Sequence, residues 1–115
     1  MSDMDTLEYN FAFRNEASLP DQVEADLWAE ANKRLQALAE GHTDIVDAAV
    51  AVEELTGDTT PHLYEVRVVV YIRPEDIVAV EKQETVEGAL KGALDAVERQ
   101  VRERRAKLRE TWKQP

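Results

Sequence analysis

The sequence predicts an α+β domain of two layers, with the element order β-α-β-β-β-α and a four-stranded sheet that carries both helices on one face. Two observations lead to this class: four short segments have the apolar pattern of strands, and two longer segments repeat apolar residues at helical spacing. A third observation, the length of 115 residues, is close to the commonest size of a single domain. We therefore expect one domain over residues 1–115, with disordered ends at 1–5 and 113–115.

The first strand and the first helix follow from apolar spacing and from helix-end signals. Apolar residues alternate with polar ones from Leu7 to Arg14, which predicts a half-buried strand. Ser18 and Pro20 predict the start of the helix, Ser18 as a capping side chain and Pro20 in the first turn, and Gly41 predicts its end. The apolar stripe of this helix consists of Val23, Leu27, Ala31, Leu35 and Leu38, with Trp28 expected as a further core residue at its edge.

Three more strands and a long helix are predicted from the rest of the chain. The strands are Ile45–Val52, His62–Ile72 and Ile77–Val80, and the helix runs from Thr85 to Trp112. The first strand-helix-strand connection should be a right-handed crossover between parallel neighbours, followed by an antiparallel meander. The core is expected to include Leu27, Leu35, Val66, Val68, Val70, Leu90, Val97 and Val101.

The predicted second helix is longer than the sheet that it covers. About 27 residues at ~1.5 Å each give ~40 Å, whereas a strand of about eight residues spans ~26 Å. The last two or three turns of the helix should therefore extend beyond the sheet. The apolar stripe also thins after Val101, and Arg104 takes a position that would otherwise face the core.

Charge is distributed unevenly along the chain, and unevenness of this kind indicates an interaction surface. The net charge is −10, but residues 91–115 contain eight Lys or Arg and four Asp or Glu. In the second helix, steps of three and four residues align one charged row that becomes basic toward its end: Lys91, Asp95, Glu98, Arg102, Arg105, Arg109 and Lys113. The plain alternative is a solvated helix face with ion pairs four residues apart, such as Asp95–Arg99 and Glu98–Arg102.

The sequence has no pattern typical of a catalytic or metal site. The absence of cysteine excludes disulfides, thiolate metal sites and a cysteine nucleophile. His42 and His62 are isolated and lack the spacing of metal ligands. There is no phosphate-binding loop, nucleophile elbow or dinucleotide motif. We therefore expect no catalytic residue, metal, cofactor or small-molecule substrate, and hence a protein that is not an enzyme.

Composition also bears on location. No segment approaches the ~18 consecutive apolar residues of a membrane span, and the N-terminus is acidic with no apolar stretch behind it, unlike a signal peptide. A chain without cysteine suits a reducing cytosol. These observations predict a cytoplasmic protein that does not bind membranes.

The second half of the chain resembles a known family. Residues 72–110 read IRPEDIVAVEKQETVEGALKGALDAVERQVRERRAKLRE, and the helix motif within them is GALKGALDAVERQVR, from Gly88 to Arg102. Together with the element order, this segment resembles the ribosome hibernation promoting factors, also called ribosome-associated inhibitors or sigma-54 modulation proteins. Long members of the family carry a further dimerisation domain, and this chain is expected to correspond to the short form.

The resemblance implies a function. Members of the family bind the small ribosomal subunit in the channel of messenger and transfer RNA, and they silence the ribosome under stress. Basic side chains on the helices contact ribosomal RNA, with basic ribosomal proteins as possible further partners. Carried over by position, and with Lys113 added from the charged row, the expected RNA-binding residues are Lys33, Arg34, Arg99, Arg102, Arg105, Arg109 and Lys113.

The acidic character of the chain keeps a second function open. The first helix is expected to be positive in this family, yet here it is rich in carboxylates, among them Asp26 and Glu30. The alternative is a protein–protein adaptor or regulator on the same fold, which would bind a basic partner through its acidic surface.

Overall fold

The computed structural model describes residues 10–42, 44–55, 63–72 and 75–113, with side chains described from residue 11 to residue 109 of these ranges. The elements follow the predicted order β-α-β-β-β-α. They are β1 (Asn10–Glu16), α1 (Asp21–Ala39), β2 (Ile45–Leu55), β3 (Leu63–Ile72), β4 (Ile77–Gln83) and α2 (Val86–Lys113).

The four strands form one mixed sheet in the order β1-β2-β3-β4. β1 runs parallel to β2, with Phe11 opposite Ala48 and Phe13 opposite Val50. β2, β3 and β4 form an antiparallel meander, with one irregularity in the ladder between Ile45 and Asp47. The parallel first pair and the antiparallel meander are both as predicted from the element order.

The hydrophobic core lies between one face of the sheet and the two helices. In β3, Val66, Val68 and Val70 are fully buried, whereas Arg67 and Tyr71 on the other face are exposed. All eight residues predicted for the core are buried. Both helices contribute to the same cluster, α1 through Leu27, Ala31, Leu35 and Leu38, and α2 through Val86, Ala89, Leu90, Ala93, Leu94, Val97 and Val101.

Strands β2 and β4 are longer than expected. β2 continues three residues past Val52 to Leu55, and β4 continues from Val80 to Gln83. These extensions contain the polar residues Glu53, Glu54, Glu81, Lys82 and Gln83, so the apolar pattern ends before the strands do. β1 was expected from Leu7 to Arg14. The structure extends it to Glu16, and Leu7 and Tyr9 lie outside the described residues.

Two predictions at α1 are wrong. Ser18 does not cap the helix: it has a positive φ of 55°, and α1 begins after Pro20 with no side-chain cap. The Pro20 carbonyl instead accepts the first bond, from the backbone N–H of Glu24. Trp28 is not a core residue either, because it is 44% exposed and packs its ring against Phe11 at 5.8 Å between centroids.

Glycines fix the end of α1 and the fit of α2. Gly41 has a φ of 77°, the left-handed conformation that commonly follows a helix, as its position predicted. Gly88 and Gly92 allow α2 to lie close to β4: an added Cβ would be 2.6 Å from Gln83 Oε1 and 2.8 Å from Glu81 Cγ, respectively.

Candidate functional site

α2 begins on the sheet and ends beyond it. Val101 is the last buried residue among those described in the helix, and residues 106–109 are all exposed. The predicted overhang is therefore present. Arg104 and Arg105 lie at the boundary, and both are tied back to the body of the domain.

Arg105 joins α2 to the loop between α1 and β2. Its Nε donates to Asp44 Oδ2 at 2.7 Å and its Nη2 donates to Asp44 Oδ1 at 2.8 Å, a bidentate pair. The Arg105 side chain is only 13% exposed. The hydrogen bonds from Arg105 hold the pKa of the Asp44 carboxyl below its ordinary value, against the opposing effect of burial.

Arg104 makes a second attachment on the other side of α2. Its Nη1 donates to the backbone carbonyl of Glu75 at 2.7 Å, and its Nη2 lies 4.0 Å from the Glu75 carboxylate. Glu75 precedes β4, so this contact holds the helix against that loop. The guanidinium therefore reaches the rim of the sheet instead of entering the core.

Arg34 connects the two helices. Its Nε donates to Glu98 Oε2 at 2.9 Å, and its Nη2 donates to Asp95 Oδ1. The hydrogen bond to Glu98 is the largest cause that raises the pKa of Arg34. Asp95 and Glu98 thus bond across to α1, and the expected pairs with Arg99 and Arg102 in their own helix are not formed.

The middle of the charged row of α2, from Asp95 to Arg105, consequently lies along the seam between the helices. At the C-terminal end of α1 the seam opens into a cleft of about 220 Å³. The cleft is lined by Arg34, Ala37, Leu38, His42, Glu98, Arg102 and Arg105. Arg34 and Arg105 already bind carboxylates there, whereas Arg102 is exposed at the mouth.

The candidate RNA-binding residues fall into two groups. Lys33, Arg99, Arg102 and Arg109 are exposed, and no described residue forms an ion pair with any of them. Arg34 and Arg105 are half-buried and paired. The side chain of Lys113 lies outside the described residues, as does that of Trp112. Sequence reasoning missed the partners Asp44, Asp95 and Glu98, because they lie 61 to 64 residues away along the chain.

The described ranges contain neither a candidate metal site nor a candidate membrane span. Among these residues, no three His, Asp or Glu side chains are grouped so that they could hold a metal ion. None of the helices there has a stretch apolar and long enough to cross a bilayer.

The family profile described as "Sigma 54 modulation protein / S30EA ribosomal protein" matches residues 22–109. The chain belongs to this family. The match runs from the first turn of α1 to the overhang of α2, and it includes every candidate residue except Lys113. The resemblance seen in the α2 motif is therefore confirmed, and it places the chain in a ribosome-associated family.

Solved structures have the same fold as this member of the S30EA family. A ribosomal subunit interface protein from Coxiella burnetii aligns with a TM-score of 0.64 at 11% identity, covering 84% of this chain and 98% of that one. The N-terminal domain of Thermus thermophilus Protein Y aligns with a TM-score of 0.59 at 17% identity, covering 83% and 96%. A comparison with curated protein sequences gives no significant match.

Proposed function

We propose that this protein is a ribosome hibernation factor, which binds the small ribosomal subunit in the cytoplasm and inhibits translation by occupancy rather than by catalysis. Membership of a ribosome-associated family supports this proposal. The Coxiella burnetii protein of the same fold is a ribosomal subunit interface protein, which supports the same partner.

The observation that carries the proposal is the group of exposed cations on distal α2 in an acidic chain. Arg102 and Arg109 are exposed where the helix leaves the sheet, and Arg99 is exposed just before that point. Cationic side chains bind phosphates and release condensed counterions, which is the main source of affinity for nucleic acid. We therefore place the principal contacts with ribosomal RNA on these three residues, with Lys33 on the outer side of α1.

Arg34 and Arg105 have a different place in the proposed interface. Each guanidinium is already bonded to a carboxylate, so a phosphate would have to share or displace that partner. We infer that these two residues chiefly hold α1, α2 and the Asp44 loop in position. Lys113 would extend the exposed group toward the end of the helix.

The acidic body should make this binding weak and sensitive to salt. If three to five phosphates are neutralised, log K should fall against log salt with a slope of about −2 to −5. The net charge of −10 repels phosphate and lowers the affinity. Binding measured over a series of salt concentrations should show both the low affinity and its dependence on salt.

The test replaces exposed cations and leaves the paired ones in place. The variant Arg99→Gln, Arg102→Gln, Arg109→Gln should lose most co-sedimentation with purified small subunits and most inhibition of translation. Its thermal midpoint should stay near that of the wild type, because none of the three side chains is buried.

A matched control comes from the opposite side of the domain. The variant Arg14→Gln, Arg67→Gln, Lys82→Gln removes the same charge from exposed positions on the open sheet face. It should keep nearly full ribosome binding. Equal losses in the two variants would mean that net charge alone matters, and unchanged binding in the α2 variant would reject the assigned site. A wild type that does not bind small subunits even at low salt would reject the function.

One observation favours the adaptor alternative. Trp28 is 44% exposed in a shallow hollow with Asp21, Glu24 and Ala25. An indole beside carboxylates suits a Lys or Arg side chain of a basic protein. If the protein acts in this way, charge reversal at Asp26 and Glu30 should abolish partner binding, and the Arg variant of α2 should keep it.

A further inference from the structure

The face of the sheet opposite the helices carries an exposed apolar patch on β3 and β4. An antiparallel sheet with one solvated face normally alternates apolar and polar residues. Here Val78, Val80 and Tyr71 are 46%, 43% and 37% exposed on that face. Val69 lies between β2 and β4 on the same face and is only partly buried. Contiguous exposed apolar surface of this kind marks an interaction site.

The pairing register arranges this face into five rows that cross the strands, and the first row, where β2 begins, consists of Asn10, Asp47 and Tyr71. We name each of the other rows after its main residues. In order along β2, these four are the valine row of Ala12, Ala49, Val69 and Val78, the arginine row of Arg14, Ala51, Arg67 and Val80, the glutamate row of Glu16, Glu53, Glu65 and Lys82, and the leucine row of Leu55 and Leu63.

We propose that this face binds a second copy of the chain. The order of the last four rows, apolar, basic, acidic, apolar, is self-complementary. Consider a twofold axis that lies between the two sheets, runs perpendicular to the strands, and passes between the arginine and glutamate rows. Each row of one copy then faces the row of the other copy that is equally far from the axis on its opposite side, as a symmetric dimer requires. The arginine row faces the partner's glutamate row, with Ala51 opposite Glu53 of the partner subunit. In the valine row, Ala49 and Val69 face Leu55 and Leu63 of the partner subunit, and the row of Asn10, Asp47 and Tyr71 lies beyond the partner's leucine row.

Specific contacts follow from this axis. Arg67 faces Glu65 of the partner subunit, and Arg14 faces Glu16 of the partner subunit. In the single chain, Arg14 lies 3.6 Å from its own Glu16, but both side chains are largely exposed, so this pair contributes little. The apolar stem of Lys82 lies against Val80 of the partner subunit, which leaves its ammonium group at the rim.

A surface hollow lies where the two charged rows meet. Its volume is about 260 Å³, and its lining comes from the centre of both rows: Arg14, Glu16, Ala51, Glu53, Glu65 and Arg67. Side chains of packed sheets interdigitate across a gap of ~10 Å. Under the proposed axis the hollows of the two copies face each other, so the arginine and glutamate side chains on their walls have to span the gap between the two sheets.

The area of this sheet face limits how tightly two copies can associate. Four strands at ~4.8 Å and four rows at ~6.7 Å cover ~500 Å² per copy. A stable interface buries ~800 Å² per partner, and two chains of charge −10 repel each other. The dimer is therefore weak and reversible, and it forms as protein concentration rises. Because the helices lie on the other side of the sheet, both copies keep their α2 cations accessible.

Sedimentation equilibrium of the full chain, from micromolar to millimolar concentration, tests the proposal without any ribosome. The wild type should pass from monomer to dimer. Val78→Asp should remain monomeric, because it puts a carboxylate into the apolar part of the interface, beside Leu63 of the partner subunit. Arg67→Glu and Glu65→Arg should each weaken association by about tenfold or more, because like charges then face each other.

The decisive sample is an equimolar mixture of the Arg67→Glu and Glu65→Arg chains. In the mixed dimer, each Glu at position 65 or 67 of one chain faces an Arg of the other chain, so association should return to nearly the wild-type level. Lys91→Glu on α2 makes the same change of charge on the helix side and should have no effect. A wild type that stays monomeric at millimolar concentration, or a dimer that ignores these variants, or a mixture without rescue, would each overturn the proposal.

Discussion

Residues 86–101 of α2 place apolar side chains on the sheet, whereas none of the side chains from 102 to 109 is buried. The first part includes Leu90, Leu94 and Val97, which are at most 1% exposed. The second part is held by the contacts of Arg104 and Arg105 with two loops. The comparison shows how one continuous helix can be stabilised by burial at one end and remain available for a partner at the other.

The largest expected difference concerns two leucines of this helix. Leu94 is fully buried and Leu108 is 49% exposed. Leu94→Ala should lower the free energy of unfolding by about 2–5 kcal/mol, because it loses burial and leaves a cavity. Leu108→Ala should change it by less than about 0.5 kcal/mol. Denaturant unfolding of both variants measures the contrast, and similar losses would show that the distal half is packed as tightly as the proximal half.

A smaller effect is expected at the joint between the helices. Arg34→Met removes both hydrogen bonds to Asp95 and Glu98 and leaves Glu98 half-buried without its cation. The loss should be about 1–3 kcal/mol. Lys33→Met changes the same charge at the neighbouring exposed position and serves as the control, with less than about 0.5 kcal/mol expected. Equal stabilities of the two variants by urea unfolding would mean that the joint contributes nothing.

The smallest expected effect concerns the distal attachment and depends on pH. Asp44→Asn should cost about 1–2 kcal/mol near neutral pH, because Arg105 keeps its place but loses a charged bidentate acceptor. The pKa of Asp44 is lowered in the folded state, so its contribution exists above its ordinary pKa and is lost as pH falls through the lowered value. The difference between wild type and variant should therefore shrink below about pH 4.

Urea unfolding at neutral and acidic pH checks this sign. Asp76→Asn, an exposed carboxylate near the opposite attachment, is the control and should leave stability almost unchanged at both pH values. If the difference in free energy of unfolding between the wild type and Asp44→Asn stays constant or increases at acidic pH, the assigned role of Asp44 is wrong.

Most of the fold could be predicted from the sequence because each layer has its own apolar period. Val66, Val68 and Val70 repeat at two residues, and α2 repeats its buried residues at three and four. The prediction was wrong at Trp28, where the helical stripe meets the edge of the sheet. There the ring packs against Phe11 and stays exposed, and periodicity alone does not reveal where a sheet ends.

Less of the candidate site could be predicted. The basic end of the charged row was visible from spacing, but the division into exposed and paired arginines was not. Arg34 and Arg105 find their carboxylates on elements about 60 residues away. Such pairs depend on how the helices and loops come together, so local rules for ion pairs assigned Asp95 and Glu98 to the wrong partners.

The order of the strands has a consequence for how the domain opens. β2, β3, β4 and α2 are neighbours both in the chain and in the fold, so they can assemble through short loops. β1 forms a parallel edge beside β2 and is reached across the whole of α1. Closing that longer loop costs more chain entropy, so β1 and α1 are expected to exchange their amide hydrogens earlier than the central strand β3. β1 and α1 are thus the elements that we expect to unfold locally first and to become accessible to a protease or a chaperone.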